Sequence, residues 1–189
     1  MFEKRLAAIE GAEFCVATAS GMAAMFASVA SIASAGDRVV ASASMFSSCH
    51  VVLTEILPRW GIKVELVKGN DEKVWAAALA QPAKVVFIET PSNPLLEIVD
   101  IKMVSDLAHK AGALVIVDNV MASPVLQKPL QLGADVVMYS PPNISMVKDG
   151  YLAAQFLETL NTSMNISCLS SVIPAQPLVL SMLGSCLNP

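Results

Sequence analysis

The segment Ala113-Leu114-Val115-Ile116-Val117-Asp118-Asn119 constrains the chain most. Its unbroken run of large aliphatic residues, without alternation, describes a strand buried on both faces, as in a parallel sheet covered by helices on each side. Ligands of such sheets sit beyond the carboxyl ends of the strands, so Asp118 stands where a ligand group would. The same position also suits an acid that merely caps the following turn. A second stretch, Lys84-Val85-Val86-Phe87-Ile88-Glu89-Thr90-Pro91-Ser92-Asn93-Pro94, is built alike and delivers Glu89 and Asn93 after its apolar run. Two buried strands that both finish in polar residues predict one shared site at the edge of the sheet.

Strand and helix patterns alternate through residue 140. Lys4 to Glu10 reads as the end of a helix stopped by Gly11, and Phe14 to Thr18 as a short strand. Ser20-Gly21-Met22 then opens a helix of small and apolar residues running to about Ser34. Asp37 to Val40, Lys63 to Val67 and Asp135 to Tyr139 read as further strands. Helices are expected within Phe46 to Trp60, over Glu72 to Leu79 and over Ile101 to Lys110. This order predicts an α/β fold with a doubly wound, mostly parallel sheet. A strand, a Ser-Gly turn and a helix N-terminus together offer outward N–H groups to an anion, with phosphate the obvious guest, although ordinary capping leaves the same signature.

Composition removes several function classes. A chain of 189 residues with 54% hydrophobic and 15% charged residues is neither disordered nor a coiled coil, and it suffices for one core. A formal net charge of −4 and an isoelectric point near 5.1 supply no basic patch, so no nucleic-acid partner is expected. Cys15, Cys49, Cys168 and Cys186 show neither a CxxC pair nor metal-ligand spacing, which predicts free thiols in a reducing, cytoplasmic setting and no metal. Met1 to Arg5 leads into an amphipathic segment, so no secretory leader is expected. The most apolar stretch, Ile166 to Leu187, is interrupted by serines, Pro174 and Pro177, so no membrane span is expected. Cys49 and His50 are neighbours on a predicted helix and point about 100° apart, which disfavours a nucleophile pair. Phe46, between a strand and a helix, suits either the core or the face of a planar ring.

Five motifs occur in a recognisable order: Ser20-Gly21-Met22, Phe46-Ser47-Ser48-Cys49-His50, Glu89 to Pro94, Val117-Asp118-Asn119 and Val136-Val137-Met138-Tyr139-Ser140. Over residues 1–140 the chain resembles the Cys/Met-metabolism family of pyridoxal-phosphate enzymes, and within it the O-succinylhomoserine sulfhydrylase branch. The resemblance implies the large cofactor-binding domain of fold type I and pyridoxal 5′-phosphate as cofactor. It implies that Gly21 and Met22 supply phosphate-binding amides, with Ser20 leading into that turn and Ser140 as a further phosphate ligand. By the same likeness Phe46 stacks on the pyridine ring, Asn93 bonds the phenolic oxygen and Asp118 pairs with the ring nitrogen. The implied reaction is a γ-replacement in methionine biosynthesis: succinate leaves O-succinylhomoserine and sulfide adds to give homocysteine. Cystathionine γ-synthase and γ-lyase chemistries are the alternatives within the family. The implied partners are a small amino-acid substrate and further copies of the chain, a tetramer in the family. A nucleotide-dependent dehydrogenase is disfavoured because no GxGxxG follows the first strand.

The resemblance stops at Ser140. There the family continues Thr-Lys-His, which would place its Schiff-base lysine at position 143, whereas the chain reads Pro141-Pro142-Asn143-Ile144. An asparagine amide cannot form that bond, so no catalytic residue is named and the chain itself is expected to be inactive. The two prolines also remove amide donors beside the expected phosphate site. Residues 141–189 carry only Lys148, Asp149 and Glu158 as charged groups and keep no period. If one nucleotide were lost at the Ser140/Pro141 junction, back-translation of residues 141–158 permits TTKHIDGQGRVLGGAILG, and residues 172–188 permit RHTGPALSPFNAWVLLK. Both strings resemble the family's continuation, lysine included. The expectation is therefore a partial cofactor domain over 1–140 and an out-of-frame tail over 141–189, with a non-catalytic partner subunit as the alternative role.

Overall fold

The computed structural model describes residues 2–140 and 152–156. Helix α1 (Phe2–Glu10) leads into β1 (Phe14–Thr18) and α2 (Gly21–Ala30). Strand β2 (Arg38–Ser42) is followed by α3 (Ser47–Val51), a π-helical turn (Val52–Ile56) and α4 (Leu57–Arg59). Then come β3 (Lys63–Val67), α5 (Glu72–Ala78), β4 (Val85–Glu89), α6 (Ile101–Lys110) and β5 (Leu114–Asp118). A short α7 (Ser123–Leu126) and a 3₁₀ turn (Pro129–Leu132) precede β6 (Val136–Tyr139), and β7 (Leu152–Phe156) is the last described element.

The strands form one sheet in the order β1-β7-β6-β5-β4-β2-β3. Pairing is parallel from β6 through β3, and β7 alone runs antiparallel to both its neighbours. The sheet is thus mostly parallel, with helices on both faces. Strand β7 lies inside the segment expected to be out of frame, and its backbone pairs Phe14 with Phe156 on one side and Val136 with Phe156 on the other. Asn143, the other residues of that segment, Cys168, Cys186 and Ile166 to Leu187 lie outside the described residues.

The unbroken aliphatic runs are explained by two cores. Val86 and Ile88 of β4 and Val115 and Val117 of β5 pack on one face with Leu6, Trp75 and Val104. Val85, Phe87 and Ile116 pack on the other with Met25, Leu53 and Leu57. All seven of these β4 and β5 side chains are fully buried, and each contributes about 1.5–3 kcal/mol by leaving water. Where a strand has only one wet face the residues alternate; here both faces are dry.

The helix expected within Phe46 to Trp60 changes register at its middle. Pro58 has no N–H and its ring would strike the carbonyl of Thr54 in regular α geometry. The turn before it widens: the Leu57 N–H bonds the carbonyl of Val52, and the Thr54 hydroxyl bonds that of His50 at 2.8 Å. Helix α2 ends at Ala30, sooner than its composition suggests, and Asp37 ties off the turn by accepting the Ser34 N–H at 2.8 Å. Cys15 and Cys49 are free and buried. Among the described residues no helix is long and apolar enough to cross a membrane, and no group of His, Cys, Asp and Glu side chains could hold a metal ion.

Candidate functional site

At the carboxyl ends of β4, β5 and β6, against the N-termini of α2 and α3, lies a cleft of about 170 Å³. Ser20, Gly21, Met22, Phe46, Asn93, Asp118 and Ser140 all line it, joined by Cys49, Glu89, Val120 and Met138. The seven residues singled out from the sequence, spread over five separate segments, therefore share one wall-to-wall space.

One end of the cleft is a helix terminus. Ser20 is extended (φ −162°, ψ 163°) and its hydroxyl oxygen accepts the Ala23 N–H at 3.1 Å. That cap serves the third amide and leaves those of Gly21 and Met22 as first-turn donors without an intrahelical acceptor. With the positive end of the helix dipole behind them, they suit an anion.

The other end holds two acids. Glu89 and Asp118 are register partners on adjacent parallel strands, and their side chains are 0% and 5% exposed. Asp118 accepts the Val120 N–H at 3.0 Å, yet burial pushes its carboxyl up to about 7. Glu89 accepts the backbone N–H groups of Phe46 and of Asn93, the latter at 3.1 Å. Burial first, and then the neighbouring Asp118, push Glu89 up to about 7 despite those two bonds. The Cys49 thiol is pushed up by burial and further by Asp118 and Glu89, so it stays protonated and is no nucleophile. The ring of His50 lies 3.4 Å from the Thr54 hydroxyl. Phe46, which lines the cleft, is 40% exposed although aromatic.

Behind the cleft a hydrogen-bonded chain ties three loops. Asn119 donates to the Tyr139 hydroxyl at 2.6 Å and to the Gln127 carbonyl at 2.9 Å. Gln127 donates to Asn119 and to the Thr90 carbonyl, both at 2.8 Å, and Tyr139 donates to buried Glu10. The segments after β4, β5 and β6 are thereby locked together. Glu10 and Gln127 escaped the sequence reading because their partners lie up to 129 residues away. Glu89 was legible as a strand-end acid, but not its task of holding two amides.

The description "Cys/Met metabolism PLP-dependent enzyme" fits residues 1–142. The O-succinylhomoserine sulfhydrylase of Mycobacterium tuberculosis is 55% identical over 140 residues, 74% of this chain and 34% of that protein. The enzyme of the same description from Pseudomonas aeruginosa is 49% identical over 139 residues, 74% of this chain and 34% of its own length. The chain thus spans about a third of the length of the curated relatives it matches. Methionine and cystathionine γ-lyases are similar at lower identity, 40% and 36%. Among solved structures, a putative O-acetylhomoserine (thiol)-lyase of Campylobacter jejuni, which carries a pyridoxyl-lysine monophosphate, superposes with a TM-score of 0.77 at 30% identity, over 85% of this chain and 40% of that one. Family match, sequence identity and superposition agree, and the chain belongs to the Cys/Met-metabolism family of pyridoxal-phosphate-dependent enzymes.

Proposed function

We propose that the cleft holds pyridoxal 5′-phosphate, with its phosphate at Ser20, Gly21, Met22 and Ser140 and its ring between Phe46, Asn93 and Asp118. The observation that carries this is the pairing of a helix terminus suited to an anion with a buried acid, Asp118, for which the described residues provide no cationic partner. A protonated ring nitrogen supplies that partner, and Asp118 holds the proton there. When bound, the ring offers an electron sink for negative charge on a substrate carbon. Phe46 covers the ring and excludes water, while Asn93 orients it through a polar edge.

The activity of the lineage is γ-replacement on O-succinylhomoserine with sulfide, favoured over the lyase alternatives by the higher identity to the sulfhydrylases. In this chain Asn143 takes the place of the lysine that would bind the cofactor covalently and move protons. The chain is therefore a non-catalytic cofactor binder, and residues 141–189 are an out-of-frame continuation. Leu95, Leu96 and Ile98 are 66%, 59% and 60% exposed, an apolar surface on which assembly with further copies or with a lysine-bearing relative would rest.

Titration of the purified chain with pyridoxal and pyridoxamine 5′-phosphates tests this reading. Saturable binding of both, with no homocysteine from O-succinylhomoserine and sulfide, is the expected result. Absence of saturable binding removes it. Sequencing of the coding DNA across residues 139–149 tests the tail, and codons incompatible with the recovered string overturn that part alone.

A further inference from the structure

We propose that Glu89 is a positioning residue for the ring-binding half of the cleft: its two carboxylate oxygens fix the backbone amides of Phe46 and Asn93, and thereby set where both stand relative to Asp118. This rests on the cofactor reading above. The geometry is specific. One oxygen, Oε2, accepts from Phe46 and the other, Oε1, accepts from Asn93 at 3.1 Å. Phe46 begins the turn into α3 and Asn93 lies in the loop after β4, so a single side chain spans the gap between the two elements that flank the ring. Among the described residues no other side-chain hydrogen bond carries either residue to the other's element.

Only an ionised carboxylate does this well. Two N–H donors facing one side chain need two acceptor atoms; a glutamine offers one, and its NH₂ would confront the second N–H. A protonated acid has the same defect at its hydroxyl. Against ionisation stand complete burial and the register partner Asp118. The titratable groups facing Glu89 are Asp118 from β5 and the Cys49 thiol from α3, and neither brings positive charge. A cationic ring nitrogen at Asp118 cancels the repulsion that Asp118 exerts, so Glu89 ionises more readily and holds Phe46 and Asn93 more firmly. Ring binding and clamp closure therefore support each other, with Glu89 touching neither the ring nor the substrate.

The test uses the full chain and pyridoxamine 5′-phosphate, which needs no lysine, with affinity read from ligand fluorescence between about pH 6 and pH 8. Glu89→Gln should weaken binding by about tenfold or more and reduce the pH dependence seen in the unsubstituted chain to the part that Asp118 contributes. Glu89→Asp keeps the charge but falls one methylene short, and should lose affinity by a similar factor while retaining a pH profile. A third reading needs no variant: amide protection of Phe46 and Asn93 should fall as pH drops through about 7, while that of Val115, held by Asp135, stays level. Glu89→Gln with unchanged affinity and profile, or flat protection at Phe46 and Asn93, overturns the positioning role and leaves the cofactor reading intact. Failure of the unsubstituted chain to bind overturns both.

Discussion

Asp118→Asn should make the cofactor-free protein more stable, and the gain should grow with pH. In the folded chain the Asp118 carboxyl sits at about 7, against 3.8 when unperturbed. An acid whose folded value is raised keeps its proton through a window in which the unfolded chain releases it. The folded state then binds more protons, so stability falls as pH rises from about 4 to about 7 and levels off above. Three pH units at about 1.4 kcal/mol each amount to about 4 kcal/mol at pH 8 and close to none at pH 4. Asparagine carries no charge to desolvate, and its amide oxygen can still accept the Val120 N–H that Asp118 accepts at 3.0 Å. The measurement is urea unfolding of both proteins without cofactor at several pH values. With a urea slope of about 2 kcal/mol per molar, the midpoint of the substituted chain should lie about 2 M higher at pH 8 and nearly coincide at pH 4. The same substitution should abolish the preference for a protonated ring. A substituted chain less stable than the original at pH 8, or a gap that does not change with pH, would refute the idea that Asp118 is buried at a cost that a cation offsets.

Other substitutions probe the frame around the site. Gly133→Ala should cost about 1–3 kcal/mol in thermal or urea unfolding, because φ is +103° and a Cβ would lie 2.9 Å from that of Ser105. Ser20→Ala removes the cap from the Ala23 N–H, and about 1 kcal/mol of stability should go with it, together with affinity for inorganic phosphate as competitor. Ala154→Pro breaks the antiparallel ladder where Val16 and Met138 both face residue 154; it should lower the unfolding free energy by about 3 kcal/mol yet change pyridoxamine 5′-phosphate affinity only a few-fold.

The parallel strands were legible because burial on both faces leaves a mark no loop imitates: Val85 to Glu89 and Leu114 to Asp118 match the expected strands at their polar ends. That Gly21, Asn93 and Asp118 would line one cleft was legible for a related reason, since strand ends and a helix start are the places such a sheet delivers side chains, whereas Phe46 and Ser140 were singled out through the family resemblance. What escaped was set at a distance. The widened turn over Val52–Ile56 answers to Pro58, a proline that reads from sequence simply as a breaker. Helix α7 and the 3₁₀ turn after it, at Pro129, are too short for any period to show. The chain from Gln127 through Asn119 and Tyr139 to Glu10 links groups whose partners no local pattern can supply. Strand β7 was hidden because it lies where the family pattern has already ended; backbone pairing asks for extended residues and no particular motif.

That strand bears on which parts of the site depend on the tail. Helix α2, with the amides proposed to face the phosphate, follows β1, and among the described strands β1 joins the sheet only through β7. On pairing alone the phosphate end would hang on residues beyond 140. But Ala24, Met25, Ser28 and Val29 of α2 are all fully buried, and Met25 and Val29 pack in the same core as Ile116, Val136 and Met138. Each large apolar side chain there contributes about 1.5–3 kcal/mol, against about 0.5–1.5 net for a ladder hydrogen bond. Packing thus holds α2 against β5 and β6 as strongly as the β1–β7 ladder holds β1. The acids at the other end belong to β4 and β5, deep in the parallel sheet and independent of β7. Every proposed ligand of the cofactor therefore stands on elements secured before residue 141, whereas the position of the family lysine falls after it. The proposed loss of catalysis with retention of the cofactor cleft is compatible with this division of the fold.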